Sequence, residues 1–173
     1  EKINQVIEIY PKGIAGFRNY LDLLATEPEV VDRPGAVAVD HLRGDIRYEG
    51  VTFGYLPGRP VLRGIDLSVN AGETVAFVGP SGAGKTTIAS LLPRFYDPDE
   101  GRITIDGIDV REMTLASLRR QIGIVQQDVF LFAGTIRENV AYGKPAATDA
   151  EIAAAVRAAN LEAFVASLPA GME

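Results

Sequence analysis

Eight consecutive residues carry the most chemistry in this chain. Gly79-Pro80-Ser81-Gly82-Ala83-Gly84-Lys85-Thr86 fits the pattern G-x-x-x-x-G-K-[ST]. Glycines at this spacing let successive backbone N–H groups curl around phosphate oxygens with no Cβ in the way. A helix that begins at such a loop adds the positive end of its dipole. Lys85 reaches the outer phosphates, and the Thr86 hydroxyl can ligate Mg²⁺. In a chain of this composition the pattern would arise by chance about 0.3% of the time.

The loop needs elements to hold it, and the flanking residues predict them. Thr74-Val75-Ala76-Phe77-Val78 is a short apolar run that reads as a buried central strand. A helix is expected from about Lys85 to Arg94. Upstream, residues 45–69 alternate as a half-buried antiparallel sheet does: Ile46 and Tyr48, then Val51 and Phe53 with opposite parity, then Ile65, Leu67 and Val69. Gly50 at the change of parity marks a bulge, and Leu56-Pro57-Gly58 marks a turn. Further strands are expected over 102–106 and 122–126, and a short helix over 115–120. Thr148 followed by Glu151 forms a capping box for a helix running to about Ala159, with another short helix ending near Leu168. Residues 1–27 read as an amphipathic helical leader broken or kinked at Pro11 and Gly13, and 28–35 as a linker.

Composition excludes much else. Of 173 residues none is cysteine, so disulfides, thiolate metal sites and cysteine nucleophiles are out. A single histidine, His41, argues against Ser-His-Asp and HExxH chemistry. Seventeen basic against 23 acidic residues give a net charge of −6, so no basic field exists to hold a nucleic acid. The longest apolar runs are five residues, such as Val129 to Ala133, against about 20 needed to cross a bilayer as a helix. A guanine-reading [NT]-K-x-D motif is absent, since Lys2, Lys12, Lys85 and Lys144 are the only lysines.

From about residue 45 onward the chain resembles the nucleotide-binding domain of an ATP-binding cassette (ABC) transporter of the exporter type. The resemblance rests on Gly50-Val51-Thr52-Phe53-Gly54-Tyr55, Val61-Leu62-Arg63-Gly64-Ile65-Asp66-Leu67 and the Ala71-to-Gly79 approach to the loop. It continues through Tyr96-Asp97-Pro98-Asp99-Glu100-Gly101, Gly123-Ile124-Val125-Gln126-Gln127-Asp128 and Thr135-Ile136-Arg137-Glu138-Asn139-Val140. The fold it implies is mixed α/β: a P-loop NTPase core, an antiparallel β-subdomain and the start of a helical subdomain, incomplete at the C-terminus. Residues 1–44 would be a linker from a transmembrane domain, 45–134 the β-subdomain and ATP core, and 135–173 the start of the helical subdomain.

The resemblance also implies roles. Tyr55 matches the aromatic that stacks on adenine, and Gln127 matches the glutamine that reaches Mg²⁺ or the attacking water. Gly79, Pro80, Ser81, Gly82, Ala83, Gly84, Lys85, Thr86 and Thr87 would bind nucleotide. Lys85 and Gln127 would be catalytic, and Thr86 and Gln127 would be metal ligands. The implied cofactors are ATP and Mg²⁺. The implied partners are a second cassette, head to tail, and a transmembrane domain, at the cytoplasmic face of a membrane. His41 matches no family role.

The chain departs from the family in carrying no serine-glycine-glycine signature, no apolar strand ending in Asp-Glu and no switch histidine. The expectation is the front two-thirds of a cassette, binding nucleotide with little hydrolysis and exposing an apolar edge at 74–78. The alternatives are a non-catalytic nucleotide-binding or interaction module, and a different P-loop enzyme such as a small-molecule kinase.

Overall fold

Alternating apolar residues build the sheet that lies beside the phosphate loop. In the computed structural model, which describes residues 14, 16–126 and 130–173, β1 (Ile46–Phe53) pairs antiparallel with β2 (Leu62–Val69) and with β3 (Glu100–Ile105). A two-residue β4 (Ile108–Asp109) pairs with β3, giving the order β2-β1-β3-β4. The register of β1 against β2 shifts between Tyr48 and Val51. The bulge expected at Gly50 is therefore present, and it resets the alternation so that Tyr48, Val51 and Phe53 are all buried. The parity break in the sequence and the continuous apolar face of the strand are one fact.

Helix α1 (Lys85–Leu91) starts at the loop, with Thr87 and Leu91 buried. Leu91 joins a core that includes Tyr48, Phe53, Leu62, Ile103 and Leu118. The Tyr48 hydroxyl donates to the Ile88 carbonyl at 2.9 Å, so β1 grips α1 by a polar bond as well as by packing. Burial of that phenol disfavours its ionised form and raises its pKa. The helix ends three residues earlier than the pattern suggested. Arg94 has φ 56°, its N–H bonds the Leu91 carbonyl, and the Phe95 N–H bonds the Ser90 carbonyl. This is a Schellman closure with arginine where glycine is usual.

That strained arginine is fixed by its side chain. Arg94 is 1% exposed. It makes a bidentate pair with Asp97, at 2.7 Å from Nε and 3.0 Å from Nη2. Nη2 also donates to the Val31 carbonyl at 3.1 Å. The Asp97 partner holds the guanidinium pKa above its ordinary value.

The segment after residue 30 lies against the sheet rather than hanging free. Val37 pairs with Met113 in a parallel bridge. The Asp32 carboxylate accepts from Leu115 N–H, the first residue of α2 (Leu115–Arg120). The Gln121 side chain accepts from Leu42 N–H and donates to the Val39 carbonyl. Asp106 accepts from the Arg43 and Asp45 N–H groups. Desolvation alone would raise its pKa, but these backbone donors hold it below the ordinary carboxylate range. Before this segment, a helix spans 16–25 with Phe17, Leu21 and Leu24 exposed. The expected break at Pro11 and Gly13 lies outside the described residues.

Two expected strands are not strands. Residues 74–78 and 122–126 join no sheet, with Val78 94% and Val125 99% exposed. An extended apolar run becomes a strand only when a neighbour takes up its N–H and C=O groups. Among the described residues no segment does so for either run.

The chain divides into two compact units, one ending at Gly123 and the other running Ile124–Glu173. The second contains α3 (Ile136–Ala141), α4 (Asp149–Ala158) and α5 (Glu162–Ser167). Thr148 and Glu151 form the expected capping box, and Thr135 with Glu138 forms another at α3. Asn139 accepts from Phe132 N–H and donates to the Phe132 and Thr135 carbonyls, closing the turn before α3. Phe132 stacks on Tyr142 at 4.1 Å. No helix among the described residues is long and apolar enough to cross a membrane.

Candidate functional site

The phosphate loop is shaped by two things, its glycines and the sheet behind it. Gly82 and Gly84 take φ of 81° and 86°, a left-handed conformation that other residues resist. Gly84 is also packed: a Cβ there would lie 2.8 Å from the Leu62 side chain of β2. Leu62, 2% exposed, thus sets how close the loop comes to the β-sheet.

Lys85 folds back into the loop it follows. Its Nζ donates to the carbonyls of Gly79 at 2.9 Å and Pro80 at 2.7 Å. The ammonium therefore bridges two backbone carbonyls of the loop itself. Thr86, next in the helix, is exposed, and its carbonyl accepts from Ser90 Oγ. Pro80, Ser81 and Ala83 are exposed along the loop, and Ala83 N–H closes a turn on the Pro80 carbonyl.

Tyr55 follows β1 in a loop that folds tightly on itself. A Cβ at Gly54 would lie 2.4 Å from the Arg59 carbonyl oxygen, so only glycine fits this bend. Gly54 N–H donates to Asp99, and Val61 N–H to the Phe53 carbonyl, which fixes both ends of the loop. The Tyr55 ring is 49% exposed, unlike the core tyrosine Tyr48. It meets Phe53 at 5.1 Å and Tyr96 at 5.2 Å, both nearly perpendicular. Its hydroxyl lies 3.1 Å from the Thr87 hydroxyl. An aromatic ring half open to solvent is thereby tied to the residue just past the phosphate loop.

The fit to Mg²⁺ follows from the donor set. Among the described residues no group of three His, Cys, Asp or Glu side chains could hold a metal. The Thr86 hydroxyl is the exposed oxygen beside Lys85, so a divalent ion here would take most of its ligands from phosphate and water. That is the usual habit of Mg²⁺, which keeps its waters and binds with substrate phosphates. Gln127, expected as catalytic residue and metal ligand, lies outside the described residues.

The sequence marks Tyr55 and the loop but not the distant contacts that hold this region. Nothing in the spacing of Tyr96 places it against Tyr55. Thr87 was a loop residue, not the partner of a tyrosine 32 positions away. Arg94 marks the expected end of the helix, but its i,i+3 pair with Asp97 reads the same in sequence whether it is exposed or buried.

The sequence and the fold are shared with known proteins. ABC transporter ATP-binding protein YwjA of Bacillus subtilis (strain 168) is 58% identical over all 173 residues, which cover 30% of that protein. The ATP-dependent lipid A-core flippase of Syntrophus aciditrophicus (strain SB) is 44% identical over 173 residues, covering 100% of this chain and 29% of the flippase. A bacterial Atm1-family ABC exporter solved with ATP bound superposes with a TM-score of 0.82 at 47% identity, over 94% of this chain and 28% of the exporter. The chain thus spans under a third of the length of these relatives. The family described as ABC transporter matches residues 62–171, well over half of the chain, and the protein belongs to that family.

Proposed function

We propose that this chain is the nucleotide-binding front of an exporter's ATP-binding cassette. It binds Mg-ATP through Tyr55 on the base, through Gly79 to Thr87 on the phosphates, and through Thr86 and Gln127 on the metal. The observation that carries this is Lys85 held to the loop by the Gly79 and Pro80 carbonyls, with the Tyr55 ring tied alongside. An incoming phosphate offers Lys85 a stronger, charge-assisted partner than two neutral carbonyls, so the side chain is poised to exchange one for the other.

Mg²⁺, when bound, neutralises charge on the transferring phosphate. The chain's own residues bind and orient: the loop N–H groups cradle oxygens, Lys85 neutralises the outer phosphates, and Tyr55 sets the base. Residues 1–44 would lead in from a transmembrane domain. Residues 45–134 would form the β-subdomain and ATP core, and 135–173 the start of the helical subdomain. Partners would be that transmembrane domain and a second cassette, at the cytoplasmic face of a membrane. These 173 residues contain no apolar strand ending in Asp-Glu. A general base contributes about 10²–10⁴-fold, so this chain alone should turn over little ATP.

The test is a titration with fluorescent ATP, with and without Mg²⁺, on the chain and its Lys85→Ala variant, with phosphate release read in the same samples. Saturable binding that the variant loses, without turnover, supports the reading. Turnover abolished by the substitution would mean a base exists within these residues and would sink the low-hydrolysis half of it. Equal binding by both proteins would sink the assignment of Lys85.

A further inference from the structure

The link between Tyr55 and Thr87 is a device that neither the loop motif nor the aromatic position requires. Thr87 is 5% exposed, so its hydroxyl has little water to bond, and the phenol at 3.1 Å is its partner among the described residues. Two nearly perpendicular neighbours, Phe53 and Tyr96, limit the rotation of the Tyr55 ring. Neither ring bonds the far, hydroxyl end of the side chain. The hydroxyl pair does so, and it pins the far end of the ring to the first turn of α1.

We propose that Thr87 is a positioning residue: its hydroxyl holds the Tyr55 phenol and so fixes the base-stacking ring at a set reach from the phosphate loop. This rests on the nucleotide-binding reading above. Without the bond, binding a base must itself order the ring, and ordering one side chain at an interface weakens affinity. A ligand made only of phosphates does not engage the ring and does not bear that cost. The bond therefore contributes to discrimination between nucleotide and bare polyphosphate. It couples the two ends of the site without a charge.

Three variants of the full-length protein test this: Thr87→Val, Tyr55→Phe, and both together. Valine keeps the branched shape in a buried position, and phenylalanine keeps the ring, so each removes one end of the same bond; any phosphate contact that Thr87 also makes is lost to both ligands alike and cancels in their ratio. Isothermal titration with Mg-ATP and with Mg-tripolyphosphate gives the ratio of the two affinities. The ratio should fall about three- to tenfold in either single variant, the range of one hydrogen bond or one ordered side chain. It should fall no further in the double variant, since both substitutions remove one interaction. An unchanged ratio in Tyr55→Phe, or losses that add in the double variant, would overturn the proposal while leaving nucleotide binding in place. A wild-type protein that binds neither ligand would overturn the nucleotide reading and this proposal with it.

Discussion

Replacing Gly84 with alanine asks how the β-sheet shapes the phosphate loop. Two costs add at this position. The left-handed backbone, φ 86°, costs a non-glycine residue about 1–2 kcal/mol. The new Cβ meets the Leu62 side chain at 2.8 Å, and Leu62 is in the core, so overpacking adds about 1–3 kcal/mol. The sum is about 2–5 kcal/mol, a fall in Tm on the order of 4–20 °C for a chain of this size. Gly82 is the control. It has φ 81° but nothing within 4 Å of its Cβ position, so Gly82→Ala should cost only the backbone share, about 1–2 kcal/mol. Leu62→Val supplies the second control: alone it removes a buried methylene for about 0.5–1.5 kcal/mol. Combined with Gly84→Ala it should recover most of the overpacking share, a coupling of about 1–3 kcal/mol of opposite sign to the single losses. Thermal and urea melts by circular dichroism on the parent and these four variants give the cycle and the Gly82 comparison. Strict additivity, or equal losses at Gly82 and Gly84, would refute the claim that Leu62 sets the loop's distance from the sheet.

Three further outcomes are expected. Arg94→Met leaves Asp97 unpaired and frees the Val31 carbonyl; because the Asp97 side chain is a third open to water, the loss should be about 1.5–3 kcal/mol, the range of hydrogen bonds to a charged group. Hydrogen exchange at residues 31–37 should quicken, and unchanged exchange would show that the segment is held by other bonds. Tyr48→Phe should cost about 0.5–1.5 kcal/mol in urea melts, the value of its bond to Ile88; a neutral result would mean burial of the ring alone joins β1 to α1. Glu151 is drawn down to about 2 by the Lys144 ammonium and by the N–H and hydroxyl of Thr148. A carboxyl lowered in the folded state stabilises it above the ordinary carboxylate pKa, and that contribution is lost as pH falls from about 4.5 toward 2. Glu151→Gln should abolish this part of the acid loss of α4 helicity, and an NMR titration placing Glu151 near the ordinary value of about 4.3 would contradict it.

The sequence by itself determined the local features of this protein. The G-x-x-x-x-G-K-T spacing, the parity break at Gly50 and the Thr148–Glu151 cap each depend on neighbours within a few residues. Their local geometry is therefore written in nearby letters: a helix begins at Lys85, the register shifts after Tyr48, and the capping box closes at Thr148. What lay further apart was decided only in three dimensions. Residues 74–78 and 122–126 have strand-like composition, yet their state depends on a partner for their backbone, and none of the described segments provides it. Thr87 meets Tyr55 across 32 residues, and Arg94 reaches Val31 across 63. Composition predicted a linker at 28–35, but part of that stretch is bound to α2 by Asp32 and to Arg94 by a carbonyl. Periodicity reports which face of an element is apolar. It is silent on which distant polar group a side chain meets, because that depends on how the elements pack and on nothing written nearby.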